Sequence, residues 1–180
     1  MGDHSGCNCE QAERYFNRPP ERLVLDGYRH WTFGFMAGDM DSWQAAWGLY
    51  SKMLGTRNGR AALDALSNFV KTLGTCAACP LRMFKQGSPH ICRDETLVLG
   101  LISAIQHGDE VTTEFCLKHL SCATRCEEVS VAAANFALTL KALDNLLVPI
   151  PLQVISNAIT LSAQGRAINS LPEPQSRTLH

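Results

Sequence analysis

The stretch Thr75–Glu95, TCAACPLRMFKQGSPHICRDE, spaces Cys76 and Cys79 by two residues and then brings His90 and Cys92 close behind. Four soft or borderline donors thus fall within seventeen residues. A two-residue gap lets paired thiolates converge on one ion, and Pro80, Gly87 and Pro89 suit a chain that must double back around it. Cys76, Cys79, His90 and Cys92 are therefore the candidate metal ligands, for an iron-sulfur cluster or, as runner-up, zinc. Zinc fits less well, because zinc knuckles usually set a glycine beside the second cysteine and CAACP carries alanines and a proline. Two other readings stay open: a reversible thiol switch, and buried thiols that act as small hydrophobes.

A second set lies in CLKHLSCATRC, where Cys116, His119, Cys122 and Cys126 follow gaps of two, two and three residues. These gaps equal those of the bacterial ferredoxin run, with His119 in place of one cysteine and no proline after Cys126. A ferredoxin run wraps its cluster as an irregular loop, whereas this one spans a helix end, a turn and the next helix start. Pairs on one helical face are easier to form here than a full set. The four residues are possible additional ligands, and Cys116 also reads as helix packing. Near the chain start, His4, Cys7 and Cys9 offer a further ligand or simply belong to a polar leader.

Enzyme classes find little support. A thioredoxin-like role for CAAC needs a βαβ setting that places the first thiol at a helix N-terminus, and here it follows a helix. The chain has no Glu-x-x-His pairs for a di-iron bundle, no P-loop, no G-x-S-x-G and no dinucleotide glycine fingerprint. Formal net charge is -1 with lysine and arginine scattered singly, so no basic stripe offers itself to nucleic acid. The opening MGDHSGCNCEQAERYF is polar, and no apolar run approaches the ~20 residues of a membrane span, which predicts a cytoplasmic protein. In a reducing compartment, eight cysteines argue for ligands, redox chemistry or buried thiols rather than a disulfide framework.

The elements that must position these residues are helices. Pro19 and Pro20 suit a first helical turn, and Val24, Tyr28, Trp31 and Phe35 form one apolar stripe. Trp43, Trp47, Tyr50 and Leu54 form a second, after the capping candidates Asp41 and Ser42 and before Gly55. Aromatic residues at such spacing read first as core. A third stripe, Ala62 to Leu73, stops at Gly74 beside the cysteine-bearing stretch. Asp94 is expected to cap a helix carrying Leu97, Leu101, Ile102 and Ile105 up to Gly108, and Asp109 the next, with Val111, Phe115 and Leu120. Thr124 and Glu127 fit a capping box for a longer helix reaching Leu147, whose broad apolar band suggests a central position. Pro149 and Pro151 end it, and Leu152 to Gln164 is a last helix before Gly165. Arg14, Arg18, Arg22 and Arg29 alternate with Glu13, Glu21 and Asp26 and read as a solvated, charge-balanced face.

The expectation is an all-α, single-domain bundle of about six or seven helices with a cysteine-bearing loop between two of them. Residues 1–18 read as a polar leader, 19–165 as the helical domain and 166–180 as a flexible tail. Charged residues make up 18% of the chain, below the usual ~25%, and apolar faces recur on several helices, which points to a protein partner and a homodimer. Two functions follow: a metal-binding or redox-responsive accessory protein, and a helical interaction or dimerisation module whose cysteines only pack.

Overall fold

A computed structural model describes residues 16–75 and 81–169, with side chains as far as residue 160, and the fold is all-α. Among the described residues seven α-helices follow in order: α1 (Pro19–Ala37), α2 (Met40–Leu54), α3 (Thr56–Gly74), α4 (Arg93–His107), α5 (Glu110–Leu120), α6 (Cys126–Ala142) and α7 (Leu152–Asn169). A 3-10 turn, Ala123–Arg125, precedes α6, and no strand occurs among these residues. Helices α1, α2 and α3 stack in sequence, α3 lies on α6, and α4 packs against α1, α5, α6 and α7.

Glycines set the closest helix approaches. A Cβ on Gly27 would sit 2.6 Å from the Tyr50 ring and one on Gly34 would sit 2.5 Å from Trp43 Nε1. Both pairs are seven residues apart and run in opposite senses, so one face of α1 is cut away to receive an antiparallel α2. A Cβ on Gly59 would meet the Tyr50 carbonyl oxygen at 2.7 Å, which holds α3 equally close to α2. Trp31 and Trp43 then meet with ring centroids 5.9 Å apart.

Helix α4, not α6, is the central one. From Asp94 to Ala104 it is buried without a break, whereas α6 buries one face, Val129 to Leu140, and exposes Val131 and Leu138. A helix apolar on all sides belongs inside, and α4 meets that description from Leu97 to Ile102. Phe16, ahead of α1, is also buried in the core.

Several helix ends differ from the sequence expectation. Asp39, rather than Asp41 or Ser42, caps α2 by accepting from Ser42 N at 3.1 Å. Cys92, rather than Asp94, is the N-cap of α4, with Glu95 closing a capping box by accepting from Cys92 N at 2.8 Å. Thr124 and Glu127 form no capping box, because the 3-10 turn intervenes and α6 starts at Cys126 with no side-chain cap. Helix α6 also stops at Ala142, short of Leu147, and α7 continues past Gly165. Asp109 does cap α5, accepting from Thr112 N at 3.0 Å, and Gly108 closes α4 with φ 72°.

The early stop of α6 has a physical cause in Gln106, which is buried. Its amide donates to Ala137 O and Asn145 O at 3.2 and 3.0 Å and accepts from Leu147 N at 2.8 Å. Ser103 donates to Val148 O at 2.6 Å and Val148 N donates to the buried Glu21 at 2.7 Å. These bonds satisfy the backbone of 145–148 outside a helix, so the chain unwinds where apolar periodicity alone would continue it.

Candidate functional site

The segment 81–92 has little regular structure, yet a buried ion pair fixes its course. Arg29 and Glu95 are each 0% exposed, and Arg29 Nε donates to Glu95 Oε1 at 2.7 Å. The remaining guanidinium donors reach Ser88 O at 2.9 Å and His90 O at 2.6 Å. The Glu95 carboxylate in turn accepts from Phe84 N at 3.0 Å and from Cys92 N. A charge pair this deep persists only when its remaining donors and lone pairs are satisfied, and the backbone of the loop satisfies them. Asp94 adds an acceptor for Arg82 N at 3.1 Å, and burial beside Asp94 raises the Tyr28 hydroxyl above its ordinary pKa. Arg29 and Glu21, expected on a solvated face, are therefore buried tethers, while Arg22 and Asp26 do pair on the surface at 2.9 Å.

Around this clasp the described cysteines take different positions. The Cys92 thiol donates to Arg82 O at 3.4 Å, and burial, reinforced by the Glu95 carboxylate, pushes it up to about 12. Cys116 is buried in the core where a Cβ on Gly100 would meet its sulfur at 3.2 Å, and burial pushes its thiol up to about 12 as well. Cys126 is partly buried against the core, and Cys122 is disulfide-bonded. His119 Nδ1 lies 2.8 Å from Phe115 O, and its ring sits tilted against Phe115 at 4.3 Å between centroids. His90 sits exposed beside Phe84, with centroids 6.0 Å apart. Among the described residues no group of three or more His, Cys, Asp or Glu is placed to hold a metal ion. Cys76 and Cys79, like His4, Cys7 and Cys9, lie outside the described residues.

Tertiary structure nonetheless brings Cys92, at the start of α4, to the same end of the bundle as His119, at the end of α5. Arg93, the first residue of α4, donates to His119 O at 3.3 Å, joining the start of α4 to the end of α5. Thr72 near the end of α3 and Glu127 near the start of α6 line one shallow groove. The end of α1 is here too, because a Cβ on Gly74 would lie 3.7 Å from Phe35.

The same end carries residues that the apolar stripes did not single out as a surface. Phe33, Phe35, Met36 and Met40 are 43, 47, 64 and 68% exposed, where the last turns of α1 give way to α2. Phe35 thus ends a predicted core stripe outside the core. From Trp31 to Ser51 the only charged residues are Asp39 and Asp41. That absence of charge is the sequence signal for this face, and it was legible as low overall charge without a location. Gln86 Nε2 donates to Ser42 Oγ at 3.1 Å and so ties the loop, with its 40%-exposed Phe84, to the start of α2. No known family model matches the chain, and no characterised protein or solved structure matches it.

Proposed function

We propose that this protein is a helical protein-interaction module that docks through the apolar end formed by α1 and α2. The observation that carries the reading is the exposure of Phe33, Phe35, Met36 and Met40 together, on a segment with no basic residue and only two acidic ones. Large apolar side chains exposed within a few residues of one another, where α1 gives way to α2, favour a surface that another molecule covers. Methionine suits such a face, because its unbranched thioether adapts to a partner's contour. The Arg29–Glu95 clasp supports the role by holding the adjoining loop rigid against α1.

The experiment is photocrosslinking from an unnatural residue at position 36, with position 111, exposed on α5, as control. A discrete adduct from 36, identified by mass spectrometry and lost when Met40→Glu is added, is expected. No adduct from 36 beyond that from 111 would refute docking at this face.

A second reading is favoured by one observation, the gathering of Cys92, His119, Cys122 and Cys126 around a single bundle end with Cys122 in a disulfide. It makes this end a metal-binding or thiol-responsive centre, with Cys76, Cys79, His90 and Cys92 as the first candidates and an iron-sulfur cluster or zinc as the group. Protein purified without oxygen would be coloured by a cluster and colourless with zinc or free thiols. Elemental analysis showing neither iron nor zinc, together with a thiol count unchanged by reductant, would sink it.

A further inference from the structure

We infer that α7 is a hinged lid that lifts from α4 as a unit and, in lifting, uncovers the Cys116 thiol; this stands apart from the docking reading, whose face lies on α1 and α2. Attachment is the first argument. The only extensive contact of α7 among the described helices is with α4. Among its described side chains Ile155 alone is fully buried, with Val154 and Ile159 partly buried against the core. Ile155 fills a notch left by a glycine of α4, since a Cβ on Gly100 would sit 2.5 Å from Ile155 Cδ1 and 3.2 Å from the Cys116 sulfur. The two side chains share that notch, so the 0%-exposed Cys116 lies beside the one side chain that anchors α7.

The hinge is the second argument. The chain ahead of α7 is fixed without its help: Ser103 donates to Val148 O at 2.6 Å, Gln106 accepts from Leu147 N at 2.8 Å, and Val148 N donates to Glu21 at 2.7 Å. Ile150 is buried too, so the pivot falls at the exposed Pro151. Proline donates no backbone hydrogen bond, and a rotation there breaks none on its N side. The Pro151 carbonyl accepts from Val154 N at 2.9 Å as part of the first turn of α7 and travels with it. A helix held by one neighbour opens at a lower free energy than the core it covers.

Hydrogen exchange and iodoacetamide alkylation of the whole chain, both read by mass spectrometry, are the test. The protection of Cys116, its alkylation rate against that of the unfolded chain, should match the protection of the amides of 155–160. Both should lie about tenfold or more below the protection of Leu99 to Ile102 in the core of α4. Ile155→Ala should lower the protection of Cys116 and of α7 together by about tenfold or more. Phe69→Leu, in the packing of α3 on α6 where Phe69 meets Phe136, weakens open and closed forms alike; it should lower the protection of α4 and leave that of α7 and Cys116 unchanged. A wild-type Cys116 as protected as Leu99 to Ile102, or one whose protection falls with Phe69→Leu, opens only with the whole core and overturns the inference. So does a Cys116 that stays protected while α7 exchanges. Should Ile155→Ala fail to fold, the wild-type comparison decides by itself, and no outcome bears on the position-36 adduct that tests the docking face.

Discussion

Replacing Glu95 by glutamine keeps the shape of the side chain and removes its charge, leaving the Arg29 guanidinium wholly buried without a counter-ion. The carboxylate currently accepts from Arg29 Nε at 2.7 Å, Arg29 Nη2 at 3.3 Å, Phe84 N at 3.0 Å and Cys92 N at 2.8 Å. An amide retains one acceptor oxygen and turns its NH2 towards groups that are themselves donors. Removing one partner of a buried pair costs about 3–5 kcal/mol, a large share of the ~5–15 kcal/mol that stabilises a typical domain. For a chain of this length that corresponds to a fall in Tm of about 6–20 °C. Urea unfolding followed by circular dichroism measures it, and hydrogen exchange should show residues 82–92 opening first. The charge-free double variant Arg29→Met, Glu95→Leu should recover part of the loss, because no ion then remains buried alone. A Glu95→Gln protein within about 1 kcal/mol of wild type would refute the clasp as the element that holds the loop.

Gly34→Ala should destabilise by about 1–3 kcal/mol, because its Cβ meets the rigid Trp43 indole at 2.5 Å, whereas Gly48→Ala, with open space around it inside α2, should stabilise by about 0.5–1 kcal/mol; thermal melts of the two variants check both signs. The thiols of Cys92 and Cys116 are raised in the folded state, so the stability they contribute is complete below the ordinary thiol pKa of 9.0 and is lost as pH rises towards about 12. Urea midpoints should therefore fall across that window, less steeply in Cys116→Ala, and a flat profile would contradict the burial of these thiols. Gln106→Leu should leave Leu147 N and Asn145 O without partners at a cost of about 1–3 kcal/mol each, with faster amide exchange confined first to 145–148. Cys116→Ser, a core substitution, should lower stability equally with and without chelator, whereas a chelator-sensitive loss would place it in a metal site.

Where a helix end depends on residues a few positions apart, the amino-acid sequence alone reads well. Pro19 at the start of α1, Gly55 after α2, Gly108 after α4 and Asp109 before α5 all act within one turn of the chain, and all stand as the local pattern indicates. The caps of α2 and α4 fall two residues earlier than expected, at Asp39 and Cys92, because Ser42 and Glu95 serve as the third helical residue that completes a cap rather than as its start. Apolar periodicity also overextends α6, since it carries no information about Gln106, which captures the backbone of 145–148 from another helix.

The candidate site divides in the same way. The types and spacing of Cys76, Cys79, His90, Cys92, Cys116, His119, Cys122 and Cys126 are properties of the sequence, as is the charge-poor run from Trp31 to Ser51. That Cys92 and His119 lie at one end of the bundle is not. Arg29 reads as a surface charge from its neighbours Arg22 and Asp26, yet it is buried, because its partner Glu95 stands 66 residues away and only the packing of α1 on α4 joins them. Phe35 shares its helical stripe with Val24 and Tyr28, yet it is 47% exposed at the end of α1, with its ring beside Gly74, the last residue of α3. Local propensity acts through bonds and neighbours within a turn or two, so the sequence determines the helices and most of their ends. Desolvation acts through whatever the folded chain brings near, so burial of a charge and exposure of a phenylalanine are decided only when the helices have packed.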